Sequence, residues 1–184
     1  MNSFEQRKKD VLGKEDKSAK GSWDLKIVDL CEKINSLDNY YTTSSCSGKC
    51  VIMEEKTGKD GSYYLWTSHE EINFEELKKV MEKNIGDLIK FKCESPILFV
   101  GCDSLESAKE LLDKAKNSGF KQTGISFSRK LIGVEIRSGE KLEFPLIKDG
   151  KVLVTDEFLK VVVKEANKKL VRGWEKIVLL SGKF

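Results

Sequence analysis

Apolar residues recur at helical spacing from about Trp23, at Ile27, Leu30, Cys31, Ile34 and Leu37, and predict a helix there. A charged segment over residues 4–17 predicts an earlier helix, broken near residues 18–22. Farther on, "CVIMEE" and "SYYLWTSH" alternate around "KTGKDG" and read as a hairpin with a Gly-rich turn. Ser68 with Glu71, or Asn73 with Glu76, matches a capping box and opens a helix to about Lys83. "DLIKFKCE" and "ILFVGC" are strands. Asp103 and Glu106 are expected to cap a helix with the stripe Leu105, Ala108, Leu111, Leu112 and Ala115, ended by Gly119. "TGISFS", "LIGVEIRS" and "KLEFPLI" follow as strands, with short turns at residues 129–130 and 139–140. Asp149-Gly150 is a hairpin turn into "KVLV". Thr155 or Asp156 starts a terminal helix with Phe158, Val162, Ala166 and Leu170 on its apolar side, and Gly173 is expected to interrupt it before a last turn at residues 174–180. Strands outnumber helices and hairpins link most of them. The expected class is α+β, a mixed, largely antiparallel sheet with flanking helices, in a single domain over residues 1–184.

The segment "YYTTSSCSGKC", Tyr40 to Cys50, follows neither period and reads as a polar loop. One reading is a Ser/Thr-rich turn that satisfies its own backbone. The other is a ligand-binding loop, because hydroxyls donate and accept without adding charge, Gly48 lets backbone approach a ligand, and Lys49 supplies one cation. A weak internal echo joins "SSCSGKCVIMEE" to "KQTGISFSRKLIGVEIRS", each placing a hydroxyl residue and a glycine before a strand.

Composition narrows the class. The 184 residues are 39% apolar, enough for a core. No run is long enough to cross a bilayer, and the charged first twenty residues lack the apolar stretch of a signal peptide, so a cytoplasmic location is expected. Five scattered cysteines are not a disulfide framework. Cys46 and Cys50 are close, but one histidine and no second pair predict no metal site. The net charge is +3, yet residues 160–184 hold seven Lys/Arg against two glutamates. That helix is either a solvated face or a phosphate-binding one. Abundant Lys and Glu with few Gln points to a heat-adapted source.

No G-x-G-x-x-G, P-loop, H-E-x-x-H or G-x-S-x-G occurs. The stretches "TTSSCSGKC", "YYLWTSHEEI", "AKELLDKAKNSGFKQTGI" and "VEIRSGEKLEFPL" instead resemble the wybutosine-synthesizing methyltransferase family, over nearly the whole chain. The resemblance implies a fold unlike the Rossmann-type methyltransferases. It also implies transfer of a methyl group from S-adenosyl-L-methionine to nitrogen 4 of the tricyclic base beside the anticodon of phenylalanine tRNA. The family motif falls on Thr42, Thr43, Ser44, Ser45, Cys46, Ser47 and Gly48, with Lys49 where the family usually has arginine. Trp-x-x-His falls on Trp66 and His69. A second motif falls on Ser118, Gly119, Phe120, Lys121, Thr123 and Gly124, again with lysine for arginine, and a third on Ile136, Arg137 and Ser138. Phe99 stands where the family often carries histidine.

The resemblance makes Thr43, Ser44, Ser45, Ser47, Gly48, Lys49, Trp66, Gly119, Lys121, Thr123, Gly124, Arg137 and Ser138 candidates for donor and acceptor binding. His69 and Ser45 are the candidates for catalysis. His69 is either the acceptor of the ring's proton or simply a residue beside the helix start. Arg137 suits a phosphate or carboxylate, and Tyr41, Trp66 or Phe120 could stack on the base. Lys168, Lys169 and Arg172 would meet the tRNA backbone. Two rivals stand beside this: a non-catalytic RNA-binding module, and a methyltransferase for a different modified guanosine.

Overall fold

The computed structural model describes residues 3–13, 24–56, 63–83, 86–128 and 131–184. The ends of the expected first helix and hairpin turn, Trp23, and the turn at residues 129–130 lie outside them. Internal contacts divide the chain into two units. Unit 1 takes residues 1–47, 96–139 and 173–184; unit 2 takes 48–95 and 140–172, so the chain passes from one to the other four times.

Unit 1 contains helices α1 (Ser3–Leu12), α2 (Leu25–Ser36) and α4 (Leu105–Asn117), and strands β1 (Tyr40–Cys46), β5 (Ile97–Cys102), β6 (Gly124–Ser128) and β7 (Leu131–Arg137). The strands form an antiparallel sheet in the order β1-β5-β7-β6. Ile27, Leu30, Cys31 and Ile34 of α2 and Ala108, Leu111 and Ala115 of α4 pack with Leu98, Val100, Val134 and Ile136 from the two central strands. Residues across an antiparallel ladder share a face. The register therefore aligns Thr42, Val100, Val134 and Ile125 on the helix-covered face.

Unit 2 contains strands β2 (Lys49–Glu54), β3 (Tyr63–Ser68), β4 (Leu88–Glu94), β8 (Leu142–Lys148) and β9 (Lys151–Val152), ordered β3-β2-β4-β8-β9, all pairs antiparallel, and helix α3 (Phe74–Lys83). The Cys93 Sγ donates to Ala166 O at 3.8 Å, the rings of Phe144 and Phe158 meet edge to face at 5.3 Å, and Asn167 holds both backbone groups of Ile72, at 2.9 and 2.8 Å. Those helical residues belong to α5 (Asp156–Ser181), which the division between units cuts at Arg172/Gly173. Asn73 Oδ1 accepts from Glu76 N at 2.8 Å, the predicted cap of α3. Asp149 (φ 49°) and Gly150 (φ 71°) both take the positive φ of a two-residue hairpin turn between β8 and β9.

The α+β reading holds, with several corrections. Tyr40–Cys46 is a strand, not a loop. Consecutive strands β1/β2, β4/β5 and β7/β8 are not hairpins, because each pair is split between the two sheets. Ser104, not Asp103, caps α4, accepting from Ser107 N at 3.1 Å, and Leu105 and Phe158 are exposed. Gly173 does not interrupt α5. A Cβ there would stand 2.8 Å from Cδ and Cγ of Pro96, so the glycine makes room for a proline ring. Among the described residues no helix is long and apolar enough to cross a membrane.

Candidate active site

The hydroxyl-dense strand β1 divides its side chains among different jobs. Asn35 in α2 accepts from Thr42 N at 2.7 Å and donates to Thr42 Oγ1 at 3.0 Å. At the strand's other end Ser47 is 0% exposed, and both its N–H (3.0 Å) and its hydroxyl donate to Asp24 Oδ2, with Asp24 itself 8% exposed. Two polar groups at opposite ends of α2, the cap residue Asp24 and Asn35 in the last turn, thus hold the run between them. Thr43 is the extra residue of a bulge, since Thr42 faces Val100 while Ser44 faces Phe99, and its Oγ1 donates to Phe99 O at 3.3 Å. That bulge reverses the side-chain alternation and turns Ser44 onto the face away from α2 and α4. Ser45 points the other way and hydrogen-bonds Cys31, whose thiol burial pushes up to about 11. Cys46 is half-buried.

Ser44 is exposed, with no side-chain partner among the described residues. Its register row continues through Phe99 and Glu135 to Gly124, and the next row on that face is Cys46, Ile97 and Arg137. Arg137 is exposed and ion-paired with Glu135 beside it. A Cβ on Gly133 would lie 2.5 Å from Phe99 Cζ, whereas one on Gly124 would meet nothing within 4 Å. Three of the sequence candidates from separate segments, Ser44, Gly124 and Arg137, therefore share one sheet face.

The second and third motifs meet as well. Gln122 N donates to Arg137 O at 3.2 Å. Lys176 Nζ donates to the buried Ser138 Oγ at 3.0 Å, and its Cε lies 3.1 Å from where a Gly119 Cβ would be. Gly119 has φ +92°, the left-handed value expected of a residue just past a helix. Lys121 is exposed in the following turn, and Thr123 Oγ1 donates to Phe120 O at 2.7 Å. Phe120 (2% exposed) and Tyr41 (0%) are core residues, which removes both as stacking candidates.

The remaining candidates lie in unit 2. Gly48 is buried at φ 100°. Lys49 faces Glu94 across the ladder at 3.5 Å and sits over the Tyr64 ring, 4.4 Å from its centroid. Trp66 Nε1 donates to Glu76 Oε1 at 3.2 Å, which leaves the indole half-buried beside α3. His69 is half-buried immediately after β3. Lys168 and Arg172 are exposed one turn apart on α5, Lys168 paired with Glu165 at 2.7 Å, and Lys169 is half-buried.

Sequence reasoning missed Asp24, Asn35 and Lys176, which position candidate residues without belonging to any motif. No local signal marks them, since each meets its partner through the fold. Phe99 carried a signal, as the apolar residue in a place where the family often has histidine.

Residues 6–184 match the family described as Methyltransferase TYW3. The chain is 41% identical, over 94% of its length and 89% of the relative's, to a Thermococcus sibiricus protein named tRNA(Phe) 7-((3-amino-3-carboxypropyl)-4-demethylwyosine(37)-N(4))-methyltransferase. A Pyrococcus furiosus protein of the same name, numbered 1, is 40% identical over 97% of this chain and 93% of its own. The solved structure of the PH1069 protein from Pyrococcus horikoshii superposes with a TM-score of 0.90 at 37% identity, covering 98% of this chain and 95% of that one. With a match that runs almost from end to end in sequence and in fold, the chain belongs to the methyltransferase TYW3 family.

Proposed function

We propose that this protein methylates nitrogen 4 of the tricyclic wyosine-type base next to the anticodon of tRNA-Phe, with S-adenosyl-L-methionine as donor. Residues 1–184 would act as one methyltransferase domain, in the cytoplasm. The observation that carries the reading is the near-complete match to relatives named for that transfer.

The residues on the outer face of the unit 1 sheet suit such a donor. Ser44 offers a hydroxyl, Glu135 a carboxylate that accepts from ribose hydroxyls, and Arg137 a guanidinium with more donors than one carboxylate can use. When bound, the donor supplies an electrophilic methyl group on a sulfonium. The chain's own task is to hold the acceptor nitrogen in line and keep water out, and orientation of that kind supplies roughly 7–11 kcal/mol. In unit 1, Thr43, Gly119, Lys121, Thr123, Gly124 and Ser138 shape and charge the binding surface in this reading, and in unit 2 Gly48 lets backbone approach a ligand. Ser45 and Ser47 support it from behind, through Cys31 and Asp24. His69 accepts the proton that the ring sheds. Lys168, Lys169 and Arg172 hold tRNA phosphates.

The test is to incubate purified protein with donor and tRNA-Phe bearing the demethylated tricycle, then digest the RNA and weigh the nucleosides. A mass gain of one methyl group on the tricyclic nucleoside is expected. Folded protein that leaves the nucleoside unchanged overturns the reading.

A further inference from the structure

We propose that Phe99, seated over Gly133 on the outer face of the unit 1 sheet, is the platform on which the acceptor's flat base stacks. The proposal deepens the function above and rests on it for the identity of the base.

Four observations in unit 1 carry it. The sheet is four-stranded and antiparallel with α2 and α4 on one face; on the other, α1 covers the β1 edge, where the Phe4 ring lies 5.2 Å from Tyr41, and Phe99 projects to that face from the central strand β5. Single-stranded bases are bound in this way on sheets that present aromatic rings opposite their helices. The ring is also seated. A Cβ on Gly133 would stand 2.5 Å from Cζ and 2.7 Å from Cε1, so the ring leans across β7 instead of standing upright, a pose that only glycine beneath it permits. Space beside the ring is open, because Gly124, two strands away in the same row, leaves nothing within 4 Å of its missing Cβ. Finally, the groups assigned above to the donor flank the ring, Ser44 on one side and Glu135 with Arg137 on the other, so a base stacked on Phe99 would lie beside the methyl carrier.

The other aromatic candidates do not compete in this unit. Tyr41 and Phe120 are core residues. Phe99 is half-buried, with its ring held over Gly133.

The experiment measures binding of a labelled anticodon stem–loop, with either the demethylated tricycle or plain guanosine beside the anticodon, to wild type, Phe99→Leu, Phe99→Tyr and Gly133→Ala. Phe99→Leu keeps an apolar side chain but removes the ring. It is expected to weaken the tricyclic stem–loop roughly tenfold, within the range measured for losing one stacked base. The guanosine stem–loop, the affinity for S-adenosyl-L-methionine and the melting temperature should change little. Phe99→Tyr should bind as wild type does, and Gly133→Ala, which displaces the ring without removing it, should show the same selective loss as Phe99→Leu. A Phe99→Leu protein that melts normally and binds the tricyclic stem–loop as tightly as wild type overturns the platform. So does an equal loss for both stem–loops. Binding needs no methyl transfer: a wild type that never methylates but loses the tricycle selectively through Phe99→Leu keeps the platform and sinks the enzymatic reading. Methylation unaffected by Phe99→Leu does the reverse.

Discussion

Ser47→Ala separates a ligand contact from a structural clamp. Ser47 is fully buried, and its hydroxyl donates to a carboxylate that is itself only 8% exposed. A hydrogen bond to a charged group is worth about 1.5–3 kcal/mol, and its loss leaves the acceptor desolvated. For a chain of this length each kcal/mol moves the midpoint by about 2–4 °C, so Ser47→Ala should lower the melting temperature by roughly 3–12 °C. The backbone N–H of position 47 still donates at 3.0 Å, which favours the lower half of that range. Ser44→Ala is the control. Its side chain is exposed, and surface changes of that kind stay within roughly 0.5 kcal/mol. Scanning fluorimetry and urea titration supply the stabilities, and donor KM is measured on both variants. Ser47→Ala should lose stability with donor KM little changed, and Ser44→Ala should raise donor KM at unchanged stability. A Ser47→Ala protein that melts with wild type but binds the donor poorly would refute the clamp.

Neutralising Lys168, Lys169 and Arg172 to glutamine should reduce the slope of log affinity for tRNA against log salt by roughly 2–3, at 0.7–0.9 per phosphate contact; an unchanged slope removes this helix from the interface. Gly173→Ala should destabilise by about 1–2 kcal/mol, because overpacking against a rigid Pro96 ring at 2.8 Å outweighs the helical preference for alanine; a higher urea midpoint would contradict this. Burial raises the Cys31 thiol to about 11 and the Cys102 thiol to about 12, against an ordinary 9.0, so at pH 8 iodoacetamide should modify half-buried Cys46 well before either, read by peptide mass. The same shifts set a pH trend. Above pH 9 the unfolded chain releases thiol protons that the folded chain retains, so stability should fall between pH 9 and about 12, and a flat alkaline profile would refute the assignment.

Elements with a clean period were legible in the sequence. "LIKFKCE" alternates between buried and half-buried positions as β4, and α2 shows its buried stripe within the expected bounds. β1 was not legible, because the bulge at Thr43 breaks the two-residue period and leaves three buried positions followed by three exposed ones. The partition into two sheets was hidden for a different reason. Successive strands usually pair, and nothing in the residues near 47, 95 or 139 says that the ladder partner is elsewhere. Gly173 was misread for want of its distant contact, Pro96. In the candidate site, residue identity came from the resemblance, while the direction of each side chain came only from register. Ser44 and Ser45 are adjacent and chemically alike, yet the ladder sends them to opposite faces.

The four passages between units make the order of synthesis matter. A nascent chain that ends at residue 95 contains β1 but not β5, its one ladder partner among the described residues, and holds β2, β3 and β4 without β8. Its edges stay bare until later segments emerge, and unit 1 still lacks Ile177 and Leu180 until the final turns of α5 are made. No one cut of the polypeptide releases either half as an autonomous fragment, so dissecting the two calls for splicing or permuting the gene instead of trimming it.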